Sequence, residues 1–187
     1  CRETLPELGG TPPPAKMLLS AHLKLYRAEA MDYPWLECIL SVLPFVDEMI
    51  LVCPPEDDDG TRAECEKMKE RHPEVRLAFM DWWKPEKRGW ESLADVVNAV
   101  IPMCRGTYHL NMEADEIVHE KQGHLLREIA TDEFYSWVEF ERLNFWGSFD
   151  VVNANRDRWP CSVVRMARTD LFPIIRSYGD ACHLGIL

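Results

Sequence analysis

Carboxylates cluster in the stretch Asn111-Met112-Glu113-Ala114-Asp115-Glu116, where they could do chemistry. A short strand-like run, 107–112, leads into it. Side chains on a strand alternate between faces, so Glu113 and Asp115 are expected to point the same way. Two carboxylates converging at the end of a buried strand are costly unless something positive sits between them. A divalent cation meets that need, and hard oxygen ligands suit Mg2+ or Mn2+. The competing reading is a solvated acidic loop after an edge strand.

The elements that must position these residues can be read along the chain. Residues 1–15, ending in Pro12, Pro13 and Pro14, read as an irregular arm, and 17–25 as a first strand. Asp32 or Tyr33 is expected to cap a helix that has Pro34 at its first position and an apolar face of Leu36, Ile39, Leu40 and Leu43. The apolar run 49–53 reads as a strand covered on both faces. Thr61 and Glu64 have capping-box spacing for the next helix, which Pro73 closes, and 75–80 alternates like a third strand. Leu93, Val96, Val97, Val100, Ile101 and Cys104 form one face of a third helix, and Gly106 precedes the strand that leads to Glu113.

Alternating strands and helices predict an α/β fold with a mainly parallel sheet and helices on both faces. Ligands of such sheets bind at the carboxyl ends of the strands. The acidic clusters at 57–59 and 113–116 both fall just after strands, so they should share one edge of the sheet. That coincidence favours a site over a solvated charge run. The second half reads differently: a helix near 121–130, a long alternating segment at 134–145 and a strand at 161–168 look like antiparallel additions.

Composition narrows the partners. The chain has 187 residues, 47% hydrophobic and 28% charged, which fits one globular domain. A net charge of −11 argues against a nucleic-acid polymer. It leaves room for a nucleotide whose diphosphate is bridged to acidic side chains by a metal. There are seven cysteines and no C-x-x-C pair; Cys38, Cys53 and Cys104 lie in apolar segments and read as buried thiols, which points to the cytoplasm. No apolar run approaches the roughly 20 residues needed to span a bilayer, and no signal peptide is visible. Opening at Cys1 and stopping at Leu187, the chain reads as a fragment or as a protein whose initiator methionine has been removed.

Three stretches together resemble the family 2 glycosyltransferases of the GT-A fold. The run 41–52, SVLPFVDEMILV, is similar to that family's passage from first helix to second strand. Asp59-Gly60-Thr61 is similar to the end of its nucleotide-binding loop. The run 106–116, GTYHLNMEADE, resembles its Gly-x-Tyr strand leading into the Asp-x-Asp metal motif. The resemblance runs from Met17 to Phe149 and more weakly to Leu187. It implies a three-layer α/β/α sandwich forming a single domain, with a nucleotide-binding half at 17–116 and an acceptor-side half at 117–187 that is either compact or truncated.

It also implies transfer of a sugar from a nucleoside diphosphate sugar to an acceptor hydroxyl, on a glycan, a lipid or a small molecule, with Mn2+ or Mg2+. Carried onto this chain, Glu113 and Asp115 hold the metal, with His183 as a further ligand. Glu113 stands where the family usually has aspartate. Asp57, Asp58, Asp59 and Glu113 face the nucleotide sugar, and Arg88 or Lys87 its phosphate. The family's aspartate after the second strand is replaced here by Cys53 and Pro54, in a loop one residue longer than usual. The general base is to be sought among Asp150, Asp157 and Asp180, since no Glu-Asp pair follows residue 133. Tryptophans at 82, 83, 90, 146 and 159 lie in or near expected loops, where an indole could stack on a sugar. The alternatives are a non-catalytic sugar-nucleotide or metal-binding module on the same scaffold and a nucleotidyltransferase. The second would want a glycine-rich loop after the first strand, which 20–32 lacks.

Overall fold

A computed structural model describes the backbone of residues 16–56, 58–81, 89–153, 162–171, 175–178 and 183–186; side chains are described for all of these except 89–90, 149, 175–178 and 183–186. Strands β1 (Leu19–Lys24), β2 (Glu48–Cys53), β3 (Val75–Phe79) and β4 (Tyr108–Met112) alternate with helices α1 (Trp35–Val42), α2 (Thr61–Arg71) and α3 (Gly89–Val100). Helix α4 (Gly123–Asp132) and strand β5 (Trp137–Glu141) come next. A short hairpin of β6 (Phe145–Trp146) and β7 (Ser148–Val152) follows, then β8 (Ser162–Arg168) and a second hairpin of β9 (Ile175–Tyr178) and β10 (His183–Ile186). The main sheet has six strands in the order β3-β2-β1-β4-β8-β5. The first four are mutually parallel, and β8 runs antiparallel to β4 and β5. This is the expected α/β architecture with its antiparallel additions.

Strands in the middle of a parallel sheet need cover on both faces, and the side chains divide accordingly. Leu19, Ala21 and Leu23 of β1 join Met49, Leu51, Tyr108 and Leu110 in a core closed by α1, α2 and α4. On the opposite face Ile50, Val52 and Ala78 pack against Val96, Val100 and Cys104. The helical face expected at 93–104 is therefore the one α3 and its short extension bury.

Helix α1 differs from expectation. It buries Trp35, Cys38, Ile39 and Val42, while Leu36 and Leu40 face outward at 36% and 53% exposure. Six of the eight residues of this helix are apolar, so two stripes one residue apart fit the same spacing. The larger Trp35 side chain decides which is buried, anchored by its Nε1 donating to Glu29 at 2.9 Å. Pro34 sits at the N-cap position rather than inside the helix.

The capping box at Thr61 is also replaced. Gly60, at φ 91°, is the N-cap of α2. Asp59 caps from one residue earlier: it accepts from the Thr61 amide and hydroxyl at 3.1 and 2.8 Å and from the Ala30 amide at 3.0 Å. The Thr61 hydroxyl oxygen in turn accepts from the Glu29 amide. These bonds tie the loop after β1 to the start of α2.

The amino ends of the strands are closed by a buried carboxylate. Glu48 accepts from the Ser20 hydroxyl at 2.7 Å, the Arg105 amide at 2.6 Å and the guanidinium groups of Arg76 and Arg105 at 2.8 Å. Burial by itself would raise this acid, but its hydrogen bonds outweigh burial and hold it below the ordinary glutamate value. A carboxyl depressed in the folded state adds stability above its unfolded pKa of about 4.3 and loses it as pH falls through the folded value. Glu48→Gln is expected to cost about 2 kcal/mol at neutral pH, from lost charged hydrogen bonds. It should also flatten the stability profile below about pH 5, as read by urea titrations across pH.

Gly106 shows why the approach to β4 needs a glycine. A Cβ there would lie 2.7 Å from the Ser20 amide nitrogen and 2.9 Å from the Leu19 carbonyl carbon. The Gly106 amide donates to Ser20 Oγ at 2.7 Å. Gly106→Ala must push β1 and β4 apart, and a loss of about 1–3 kcal/mol is expected in chemical denaturation.

Candidate active site

Strand alternation stops at Met112. The Glu116 amide donates to the Glu113 carbonyl at 3.1 Å, which closes a turn over 113–116 at the carboxyl end of β4. Glu113 and Asp115 are therefore turn residues, and the expectation that a continuing strand carries both to one face is corrected. Glu113 turns inward: Lys24 Nζ donates to its Oε1 at 2.6 Å, and also to Asn111 Oδ1 and the Met112 carbonyl at 3.2 Å each. The Lys24 side chain is only 3% exposed. The Cys38 thiol donates to the Glu113 carbonyl from α1, and burial pushes that thiol far above its usual pKa.

Glu116 is held from the other side. Arg165 Nε donates to both of its oxygens at 3.2 and 3.0 Å, and Nη2 to Oε1 at 2.6 Å. Arg142 Nη1, from the segment after β5, reaches the same Oε1 at 3.2 Å. Arg165 also brings Nη1 to 3.6 Å from Glu113 Oε1. Asp115 faces solvent, and among the described residues no ion pair reaches it. The surrounding chain nevertheless strips part of its carboxyl's hydration, and Glu116 and Glu113 add like charge, so this acid is held above its ordinary value. An added cation would relieve that repulsion.

Lys24 and Arg165 belong to a polar row on the α3 side of the sheet. Ser20, His22 and Lys24 alternate along β1, His109 and Asn111 along β4, and Arg165 lies on β8, the strand that pairs with β4; all are buried. His22 and His109 stack with ring centroids 5.6 Å apart. Burial lowers both, His109 to about 4, and the neighbouring His109, Lys24 and Arg165 lower His22 further. None of these six side chains figures among the sequence candidates. The signal was there in the polar beats of L-S-A-H-L-K and Y-H-L-N, which a strand covered on both faces should not have.

No family model matches the sequence, nor does any curated protein. Solved structures do. The chain superimposes on Staphylococcus aureus TarS with a TM-score of 0.54 at 12% identity, covering 82% of this chain and 28% of that one. Against TarS 1–349 in complex with UDP-GlcNAc the TM-score is 0.51 at 16% identity, covering 82% and 46%. The fold is that of the GT-A glycosyltransferases. The mannosyltransferase PcManGT from Pyrobaculum calidifontis, in complex with GDP-Man and Mn2+, matches at a TM-score of 0.48 and 13% identity, over 69% of this chain and 37% of that one. The chain spans less than half the length of each of these structures.

Within the GT-A frame the remaining sequence candidates scatter. Asp58 lies exposed with Arg27 Nε at 3.4 Å, and Asp59 is taken up by the loop bonds already described. Asp150 stands exposed on β7, in the small hairpin sheet. Asp57, Lys87, Arg88, Asp157 and Asp180 lie outside the described residues, as do Trp82, Trp83 and Trp159 and the side chain of Trp90. His183 opens β10, in a hairpin that packs against α3 and β8, and its side chain is likewise outside them. Trp146 is 67% exposed at the tip of the β6–β7 hairpin. Cys38, Cys53 and Cys104 are buried free thiols, as is Cys65. Among the described residues no helix is long and apolar enough to cross a membrane. Nor does any group of three or more His, Cys, Asp and Glu side chains there stand ready to hold a metal.

Proposed function

We propose that this chain carries the donor-binding half of a metal-assisted, family 2-like glycosyltransferase, taking a nucleoside diphosphate sugar and delivering its sugar to an acceptor hydroxyl on a glycan, lipid or small molecule. One observation carries the reading: on a GT-A fold, Asp115 stands exposed at the carboxyl end of β4 while its acidic neighbours are held by basic side chains. A single carboxylate suits Mn2+ or Mg2+, which take one or two carboxylates and complete their shells with phosphate oxygens and water. Asp115 would hold the ion, and His183 is the further ligand to test. When bound, the ion offsets the charge that develops on the departing diphosphate.

The chain's own residues set the geometry. The Arg165 fork and Arg142 fix Glu116, the closing residue of the turn, so Asp115 is presented at one angle. Lys24 and the Cys38 thiol fix its opening residue, Glu113. Asp57, Asp58 and Arg88 are the candidates for contacts to the nucleotide and its phosphates. Asp150, Asp157 and Asp180 are the candidates to take the acceptor's proton. Buried free thiols favour a cytoplasmic setting.

The second reading, a binding module without turnover, is favoured by the position of Asp150 in a separate two-stranded sheet. A panel of nucleotide sugars with and without Mn2+, followed for both thermal stabilisation and donor consumption, separates the two. Metal-dependent consumption supports the transferase, and stabilisation without consumption supports the module. Neither response to any nucleotide sugar would refute the donor site itself.

A further inference from the structure

The acidic turn already contains a cation. The Lys24 ammonium has three protons to donate, and it meets three oxygen acceptors: Glu113 Oε1, Asn111 Oδ1 and the Met112 carbonyl. Its side chain is 3% exposed and reaches the turn from the neighbouring strand. A metal ion claiming Glu113 Oε1 would have to displace this ammonium and leave it buried without its charged partner, which is strongly unfavourable. The Arg165 guanidinium, 3.6 Å from the same carboxylate oxygen, adds repulsion against an incoming dication.

We infer that Lys24 takes at Glu113 the place a metal ion would otherwise fill, so that the turn offers a divalent cation one carboxylate, Asp115, and acquires the ion together with a diphosphate rather than alone. This rests on the reading of Asp115 as the ion-binding carboxylate. One carboxylate supplies at most two of the six oxygens a Mg2+-like ion requires. The diphosphate and water supply the rest, so metal and nucleotide bind cooperatively. Lys24 is a positioning residue that sets the order of binding.

The test follows free Mn2+ by its electron paramagnetic resonance signal, with the whole chain and either no nucleotide, UDP or GDP. Mn2+ alone should bind the parent weakly, and UDP or GDP should tighten it at least about tenfold. Glu113→Gln, which keeps an acceptor for Lys24, should leave Mn2+ affinity within about twofold of the parent, whereas Asp115→Asn should abolish the nucleotide-assisted binding. Lys24→Met frees a second carboxylate and should bind Mn2+ alone at least about tenfold more tightly than the parent. Circular dichroism verifies that each variant is folded; if Lys24→Met is not, Glu113→Gln decides.

Three results overturn the inference: Glu113→Gln weakening Mn2+ binding as Asp115→Asn does, a folded Lys24→Met that binds no more tightly than the parent, or tight binding of Mn2+ that UDP and GDP do not improve. If Asp115→Asn changes nothing, the ion-binding reading of the turn fails first, and this inference falls with it.

Discussion

Asp115→Asn is expected to reduce metal-dependent consumption of a nucleotide sugar at least about a hundredfold while leaving the protein as stable as the parent or slightly more so. The two halves of that expectation have separate causes. Activity falls because the substitution removes the solvent-facing carboxylate proposed to hold the ion against the diphosphate. Stability does not fall because the Asp115 carboxylate does not help the fold: desolvation and the charges of Glu116 and Glu113 raise its acid above the ordinary aspartate value. For a carboxyl raised on folding, the folded state favours the protonated form. Ionisation therefore costs stability as pH rises past the unfolded pKa, and the cost is fully present above the folded one. An uncharged isostere removes it at pH 7. Thermal melts and donor-consumption rates on the same preparations supply the check, and a lowered melting temperature would show that Asp115 is a structural residue.

The second large effect is on stability. Arg165 is 6% exposed, reaches Glu116 through two of its nitrogens and approaches Glu113. Removing Arg165 leaves Glu116 to the Arg142 contact, and breaking a charge network of this kind runs to about 3–5 kcal/mol. Arg165→Met is expected to fall in that range in urea denaturation. Arg165→Lys should recover only part of it, because an ammonium cannot reproduce the guanidinium's fork. Coupling supplies a sharper check: with Glu116→Met added, most of the lost stability should return, since a buried pair exchanged for apolar side chains of similar volume is often neutral. Equal and additive losses would mean that Arg165 acts through packing rather than charge.

The sheet was legible because its strands are short apolar runs separated by turn residues and amphipathic helices. Runs such as 49–53 have few other readings, and the helical face at 93–104 had one dominant stripe. Helix α1 was misjudged in rotation because six of its eight residues are apolar and spacing alone cannot rank Trp35 against Leu36. The acidic turn was legible in location and only partly in geometry. Its place at the carboxyl end of β4 followed from topology. The alternation rule was carried one step too far, since a turn closed by the Glu116 amide begins where the strand ends. The basic side chains around the acids were missed for a different reason. Lys24 lies far from Glu113 in sequence, and only the parallel pairing of β1 with β4 brings their ends together. Arg165 enters through an antiparallel strand whose register no local pattern fixes. Both still left a trace as charged residues inside strands that should be apolar on both faces.

The most direct test is a crystal structure of the chain grown with Mn2+ and a nucleoside diphosphate, with anomalous scattering used to locate the ion. The account predicts an anomalous peak bonded to a carboxylate oxygen of Asp115 and to the diphosphate, with Lys24 still donating to Glu113. Mn2+ and nucleotide bound away from the turn at 113–116, with Asp115 contacting neither, would contradict it.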